Sequence, residues 1–287
     1  MGAHAHAALI DAETLRSMLG ALAPVVIIDA GFDLADPTAG ERAHGAAHLP
    51  DAPHVHLERD LSATPTGRNG RHPLPERANF AATAGRLGIT PATQVVVYDR
   101  QQSMFAARLW WMLRWLGHAP VAVLDGGFAA WQTIGGPVES GPVTPHPQPA
   151  YPIGNAPSPL APTLDAAALQ AQLGRLALID ARAPERFRGD VEPLDAQAGH
   201  IPGACNRFFK DNLATDGRFK PAHVLRAEFT ALLQTQSAGA VVHQCGSGVT
   251  ACHNLLAMAA AGLEGAALYP GSWSEWSADP SRPIARG

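Results

Sequence analysis

The sequence predicts an α/β protein in which one domain is written twice, each copy a mainly parallel sheet covered by helices on both faces. Three observations lead there. Short β-branched runs alternate with longer amphipathic stretches, the pattern of βα units. The same signals recur in the same order at offsets of 145 to 152 residues. A proline-rich stretch separates the two copies.

In the first copy, VVIIDA (25–30) and VVVYD (95–99) read as buried strands. ANFAATAGRLG (78–88) and the tryptophan-rich 103–116 read as the helices that follow them. Each has a match in the second copy. VVIIDA pairs with LALIDA (176–181), and AHLPDA (47–52) with GHIPGA (199–204). VVVYDRQQSMFAARLWWML (95–113) pairs with VVHQCGSGVTACHNLLAMA (241–259), and LDGGFAAW (124–131) with YPGSWSEW (269–276). A repeat of this kind fixes the architecture before any single element does. Residues 137–162 hold nine prolines. Proline fixes φ and removes a backbone donor, so this stretch predicts an extended tether. The resulting division is a domain over 1–140, a linker over 141–160 and a second domain over 161–287.

The composition is that of a folded soluble protein, 46% hydrophobic and 16% charged. A net charge of -4 without a long basic run argues against a nucleic-acid surface. No apolar run reaches the length of a membrane span, and the N-terminus lacks the pattern of a secretory signal. Three cysteines (Cys205, Cys245 and Cys252) form no disulfide framework, which suits a reducing cytoplasm. HAHA (4–7) reads as a frayed end rather than a metal site.

Cys245 stands where an apolar strand, VVHQ, gives way to a glycine-containing loop and then to a helix, TACHNLLAMAAAG. The C-terminal edge of a parallel sheet is where such folds bind ligands. Gly246 and Gly248 permit left-handed backbone, so successive N–H groups can turn inward as a nest. The helix N-terminus adds partial positive charge. Both features favour an anion at the loop's centre, either a thiolate or a persulfide. Cys252 falls among apolar helix residues and reads as core, and nothing near Cys205 activates it. A metal site from His243, Cys245, Cys252 and His253 fits no finger or ribbon spacing. A serine-hydrolase elbow needs glycine at position 245, and a C-x5-R phosphatase needs arginine at 251, where Ala251 stands.

CGSGVTAC, GHIPGA, DARAPERFRG and YPGSWSEW together resemble the two-domain rhodanese-like sulfurtransferases, over nearly the whole chain. The loop CGSGVT is similar to that of the 3-mercaptopyruvate sulfurtransferases, whereas thiosulfate enzymes typically carry basic residues there. The resemblance implies that Cys245 takes sulfur as a persulfide, cradled by Gly246, Ser247, Gly248, Val249 and Thr250, with the Ser247 hydroxyl near the substrate. It implies that Arg186 grips a carboxylate, with Arg182 and Arg188 nearby as further binders or as braces. It places His72 of RHPLP, in the first domain, beside Ser247, with Glu58 or Asp60 of HLERDLS behind it. It requires no metal or organic cofactor. It points to a small-molecule sulfur donor and a thiol or cyanide acceptor, thioredoxin among the thiols. Thiosulfate as donor, and a rhodanese-fold binding or sulfur-carrier module whose turnover is incidental, are the alternatives. Asp99 occupies the position of Cys245 in the first domain, which is expected to be catalytically silent. Asp195 stands where the resemblance predicts a second substrate arginine, so the carboxylate clamp is incomplete or rebuilt from elsewhere.

Cys245→Ser is expected to abolish sulfur transfer, because a serine hydroxyl is not ionised near neutral pH and cannot hold a persulfide. Cys252→Ser and Cys205→Ser are expected to retain it. Intact-mass analysis after donor treatment should show one added sulfur, on Cys245; sulfur on either other cysteine would overturn the assignment.

Overall fold

The computed structural model describes residues 6–21, 24–154 and 160–287. His4 of the N-terminal HAHA and residues 155–159 of the proline-rich stretch lie outside the described residues. The chain divides into two compact units. One takes the described residues of Met1–Leu61, Pro75–Ser158 and Asp216–Arg218; the other takes those of Ser62–Leu74, Pro159–Thr215 and Phe219–Gly287. The segment Ser62–Leu74 therefore leaves the copy in which the sequence places it and packs with the second unit.

Each unit holds a parallel four-stranded sheet. In the first, β1 (Leu9–Ile10), β2 (Val25–Asp29), β3 (Gln94–Tyr98) and β4 (Val121–Leu124) lie in the order β1-β4-β3-β2. In the second, β5 (Ala177–Asp180), β6 (Ala204–Asn206), β7 (Val241–Gln244) and β8 (Ala267–Leu268) lie in the order β6-β5-β7-β8. Isolated parallel bridges complete the match. His54 bridges to Asp29 beside β2, where the second unit has β6, and Thr163 bridges to Leu268 beside β8, where the first has β1. The two sheets thus share one topology.

The helices of the first unit are α1 (Ala12–Gly20), α2 (Ala39–Ala46), α3 (Leu57–Asp60), α4 (Arg77–Arg86), α5 (Ala106–Leu116) and α6 (Gly127–Thr133). Those of the second are α7 (Ala166–Ala171), α8 (Pro184–Arg188), α9 (Ala222–Leu233), α10 (Thr250–Ala260) and α11 (Ser272–Trp276). The local chemistry repeats as well. Asp11 and Asp165 cap α1 and α7 by accepting the Thr14 and Ala168 N–H groups at 2.7 and 2.8 Å. Trp131 and Trp276 are fully buried, one in each core. Each donates its indole N–H at 2.8 Å to a downstream proline carbonyl, Pro137 or Pro283.

The described part of the proline-rich stretch up to residue 154 carries no helix, yet it is no free tether. Glu139 pairs with His48 as an antiparallel bridge. The Gln148 and Tyr151 N–H groups donate to Gly85 and Ala81 at 2.8 and 2.9 Å, and the Tyr151 ring is buried against His118. Backbone donors left between the prolines find carbonyls of α4, so the strap belongs to the first unit's surface.

The loop after β3 shows what the duplicated strand–loop–helix geometry is built to hold. Asp99 is 1% exposed. Its carboxylate accepts four backbone N–H bonds, from Gln101, Ser103, Phe105 and Ala106, at 2.8 to 2.9 Å. Burial pushes this carboxyl up while the four donors pull it back down. The first unit is therefore an anion nest filled by its own side chain. Asp99→Ala would leave four buried donors unpaired, at roughly 1–3 kcal/mol for each that water cannot reach. It is expected to lower the unfolding free energy by several kcal/mol, with Asp99→Asn in between, as read by urea denaturation.

Two buried histidines set the acid response. Burial pushes His243 down to about 3 and His118 down to about 4. Both stay neutral in the folded chain and take protons once unfolded below about pH 6.5. Stability is therefore full above that pH and falls as the pH drops toward the folded values, by about 2 kcal/mol per group at pH 5. Urea midpoints at pH 7 and pH 5 should show the loss, and His243→Leu should reduce its slope; a flat profile in the parent protein would contradict the assignment.

Candidate active site

Strand β7 is buried at all four positions and pairs with β5 so that Gln244 lies opposite Asp180. Cys245 follows at once, at the C-terminal edge of the sheet. Its Sγ accepts the Gly248 N–H at 3.2 Å, and the thiol is 1% exposed. The loop is fixed from the far side by the start of α11. Trp273 and Ser274 donate their N–H groups to the Cys245 and Gly246 carbonyls at 2.9 Å, and the Cys245 N–H donates to Ser272 Oγ at 3.1 Å. Gly248 is left-handed at φ 76, and a Cβ there would fall against the Pro270 carbonyl, so a side chain is excluded. Val249 precedes α10 and Thr250 is its first residue. Cys252 is fully buried and donates its thiol to the Gly248 carbonyl at 3.3 Å, which is a packing role. Cys205 is exposed on β6.

The segment Ser62–Leu74 brings two side chains to this loop. His72 Nδ1 and Ser247 Oγ are 2.8 Å apart, at 5% and 7% exposure. Arg71, held by its N–H on Ser274 Oγ at 3.1 Å, extends its guanidinium over Gly246. Arg186 of α8 approaches the same glycine: a Cβ there would lie 2.8 Å from Arg71 Nη2 and 3.4 Å from Arg186 Nη1. Two guanidiniums therefore converge beside Cys245. Both are tied by carboxylates. Arg186 donates to Glu192 Oε1 at 2.6 Å and lies 3.4 Å from Asp195 Oδ2, and Arg71 is ion-paired with Asp195 Oδ1. Asp195, standing where a second substrate arginine was expected, links these two arginines.

Arg182, expected among the substrate-binding residues, has a different place. Its side chain is 1% exposed and forks onto Asp180, with Nη2 to Oδ2 at 2.6 Å and Nε to both oxygens near 3 Å. It also donates to the Gly199 carbonyl at 2.8 Å and stacks on Trp273 at 4.7 Å. The first unit fills the equivalent slot with Arg100, bonded to Asp29 at 2.5 Å and stacked on Phe128 at 4.2 Å. The same slot is thus filled from two different loops, which makes Arg182 a brace. Arg188 pairs with Asp190 at the surface. Glu58 and Asp60 lie in α3 of the first unit. There Asp60 accepts the His56 N–H at 2.9 Å and pairs with Arg59 and Arg86, while Glu58 is exposed. His243 faces the Met258 sulfur and His253 stacks on Phe219, so neither turns to Cys245 as a ligand. Among the described residues no group of three or more His, Cys, Asp or Glu side chains is arranged to hold a metal.

Sequence reasoning missed Arg71, Glu192 and Ser272. Arg71 had one available signal, its place immediately before His72 in RHPLP.

Duplicated parallel α/β units with a cysteine loop at one sheet edge define the class. The chain belongs to the rhodanese-like family: the model of the rhodanese-like domain matches residues 11–134 and again 165–279. A probable 3-mercaptopyruvate sulfurtransferase from Pseudomonas aeruginosa is 47% identical over 98% of this chain and 99% of its own. A thiosulfate sulfurtransferase from Cricetulus griseus is 35% identical over 96% of this chain and 93% of its own. Among solved structures, the 3-mercaptopyruvate sulfurtransferase from Leishmania major superposes with a TM-score of 0.83 at 30% identity, covering 94% of this chain and 74% of that one.

Proposed function

We propose that the protein is a sulfurtransferase that moves sulfane sulfur from 3-mercaptopyruvate, through a persulfide on Cys245, to a thiol or cyanide. The observation that carries this reading is the pair of duplicated loops. In the first unit the Asp99 carboxylate, whose oxygens lie three bonds from Cα, takes four N–H donors, two on each oxygen. A persulfide on Cys245 would put its anionic outer sulfur the same three bonds from Cα, in a loop that follows the same strand and opens the same helix. The cradle suits that charge.

In the first step the Cys245 thiolate attacks the donor sulfur, the S–C bond breaks, and the electron pair leaves as the enolate of pyruvate. That enolate takes a proton. Ser247, hydrogen-bonded to His72, is placed to deliver it. In the second step an acceptor thiolate attacks the outer sulfur and releases the Cys245 thiolate. The guanidiniums of Arg186 and Arg71 over Gly246 attract the donor's carboxylate. Free cysteines throughout fit a reducing compartment such as the cytoplasm, with a dithiol protein such as thioredoxin as acceptor.

A second reading, thiosulfate as donor, is favoured by the same two guanidiniums, which supply the positive charge missing from the loop itself. The first is preferred because a serine–histidine pair serves an enolate leaving group, whereas the sulfite released from thiosulfate needs no proton. Steady-state assays with both donors should give the higher kcat/KM with mercaptopyruvate. Ser247→Ala should lower kcat for mercaptopyruvate by about 10-fold or more while sparing thiosulfate, and Arg186→Ala should raise KM. A higher kcat/KM for thiosulfate, insensitive to Ser247→Ala, would overturn the donor assignment.

A further inference from the structure

We propose that Asp195 is a built-in counter-anion that sets the charge the site accepts, favouring singly over doubly charged sulfur donors. The inference deepens the donor reading above and rests on it. Arg71 and Arg186 meet over Gly246, and the Asp195 carboxylate spans them, one oxygen on Arg71 and the other 3.4 Å from Arg186. Asp195 is held there. Its own N–H and that of Leu194 donate to Glu192 Oε1 at 3.2 and 3.1 Å, the same oxygen that receives Arg186. The carboxylate is 6% exposed, against 18% for Arg186 and 30% for Arg71.

The connected network holds three cations, Arg71, Arg182 and Arg186, and three anions, Asp180, Glu192 and Asp195. Its charge sums to zero. The Asp180 carboxylate is consumed in bracing Arg182, and Glu192 answers Arg186 at 2.6 Å; Asp195 is the carboxylate on Arg71 and adds a second one near Arg186, so it completes the offset of the two guanidiniums facing the loop. A donor arriving beside Cys245 therefore meets arginines whose charge is already answered. The deficit grows with the donor's own charge, so a compact dianion such as thiosulfate is penalised more than a monocarboxylate such as mercaptopyruvate.

The test is Asp195→Asn, which keeps the side chain's shape and removes its charge, beside Asp195→Glu, which restores the charge. Two inert anions, pyruvate and sulfate, are titrated calorimetrically against each protein, and kcat and KM are measured with both donors. Asp195→Asn is expected to tighten sulfate by about 10-fold and pyruvate by about 3-fold at low ionic strength, with both gains shrinking as salt is added. The ratio of kcat/KM for thiosulfate to that for mercaptopyruvate should rise, mainly through KM, and Asp195→Glu should return toward the parent ratio. Equal gains for the two anions, or weaker binding of both, would overturn the proposal and leave Asp195 as a prop for Arg71. If Asp195→Asn does not fold, Asp195→Ser carries the same comparison. Failure of the donor reading is separable: it would appear as a higher kcat/KM for thiosulfate than for mercaptopyruvate in the parent protein, whereas the inert-anion titrations decide Asp195 either way.

Discussion

The second unit is organised around a buried ion pair, Asp180 with Arg182, at the end of β5. With side chains 0% and 1% exposed, the pair is stable only because every remaining polar position is answered, by Gly199, by Glu192 and by the face of Trp273. Removing one partner of such a pair typically costs about 3–5 kcal/mol, because a charge is left in the interior. The consequences reach the chemistry. Trp273 pins the Cys245 carbonyl, and Glu192 positions both Arg186 and Asp195. The loop that carries the thiol is therefore held from behind by electrostatics before any ligand arrives.

The first unit shows how little separates a loop filled by a carboxylate from one that carries a thiol. Both have a strand ending in a tight loop, a helix opening behind it, and an N–H from the next helix on the carbonyl of the loop's first residue: Phe128 on Asp99, and Trp273 on Cys245, at 3.0 and 2.9 Å. The left-handed position before that donor is Gly127 in one copy and Ser272 in the other, at φ 57 and 54. Ser272 occupies a conformation costly to a side chain, and its hydroxyl answers the Cys245 N–H. In the first copy the nest is closed by a carboxylate that cannot leave. In the second it begins with a thiol, whose Sγ accepts the Gly248 N–H.

The arginines and acids beside Cys245 form a single charge-balanced system rather than a bare cationic clamp. Each guanidinium beside the Cys245 loop has a carboxylate partner within the same unit.

The amino-acid sequence by itself determined the α/β class, the duplication, the strand bearing Cys245 and the glycine loop after it. These are local properties: β-branched runs, helical periodicity and a position that only glycine can take leave their mark within a few residues. The same locality made Cys252 legible as core and Asp99 as the counterpart of Cys245. Tertiary structure alone decided the rest. It assigned Ser62–Leu74 to the second unit, joined Arg71 to Asp195 across 124 residues, and turned Arg182 inward as a brace while Arg186 stayed at the loop. It also made the proline stretch a docked strap. Ion pairs between distant charges follow from which backbones lie side by side, and Asp195 reads in sequence as a gap in the carboxylate clamp because the Arg71 guanidinium that answers it comes from another part of the chain.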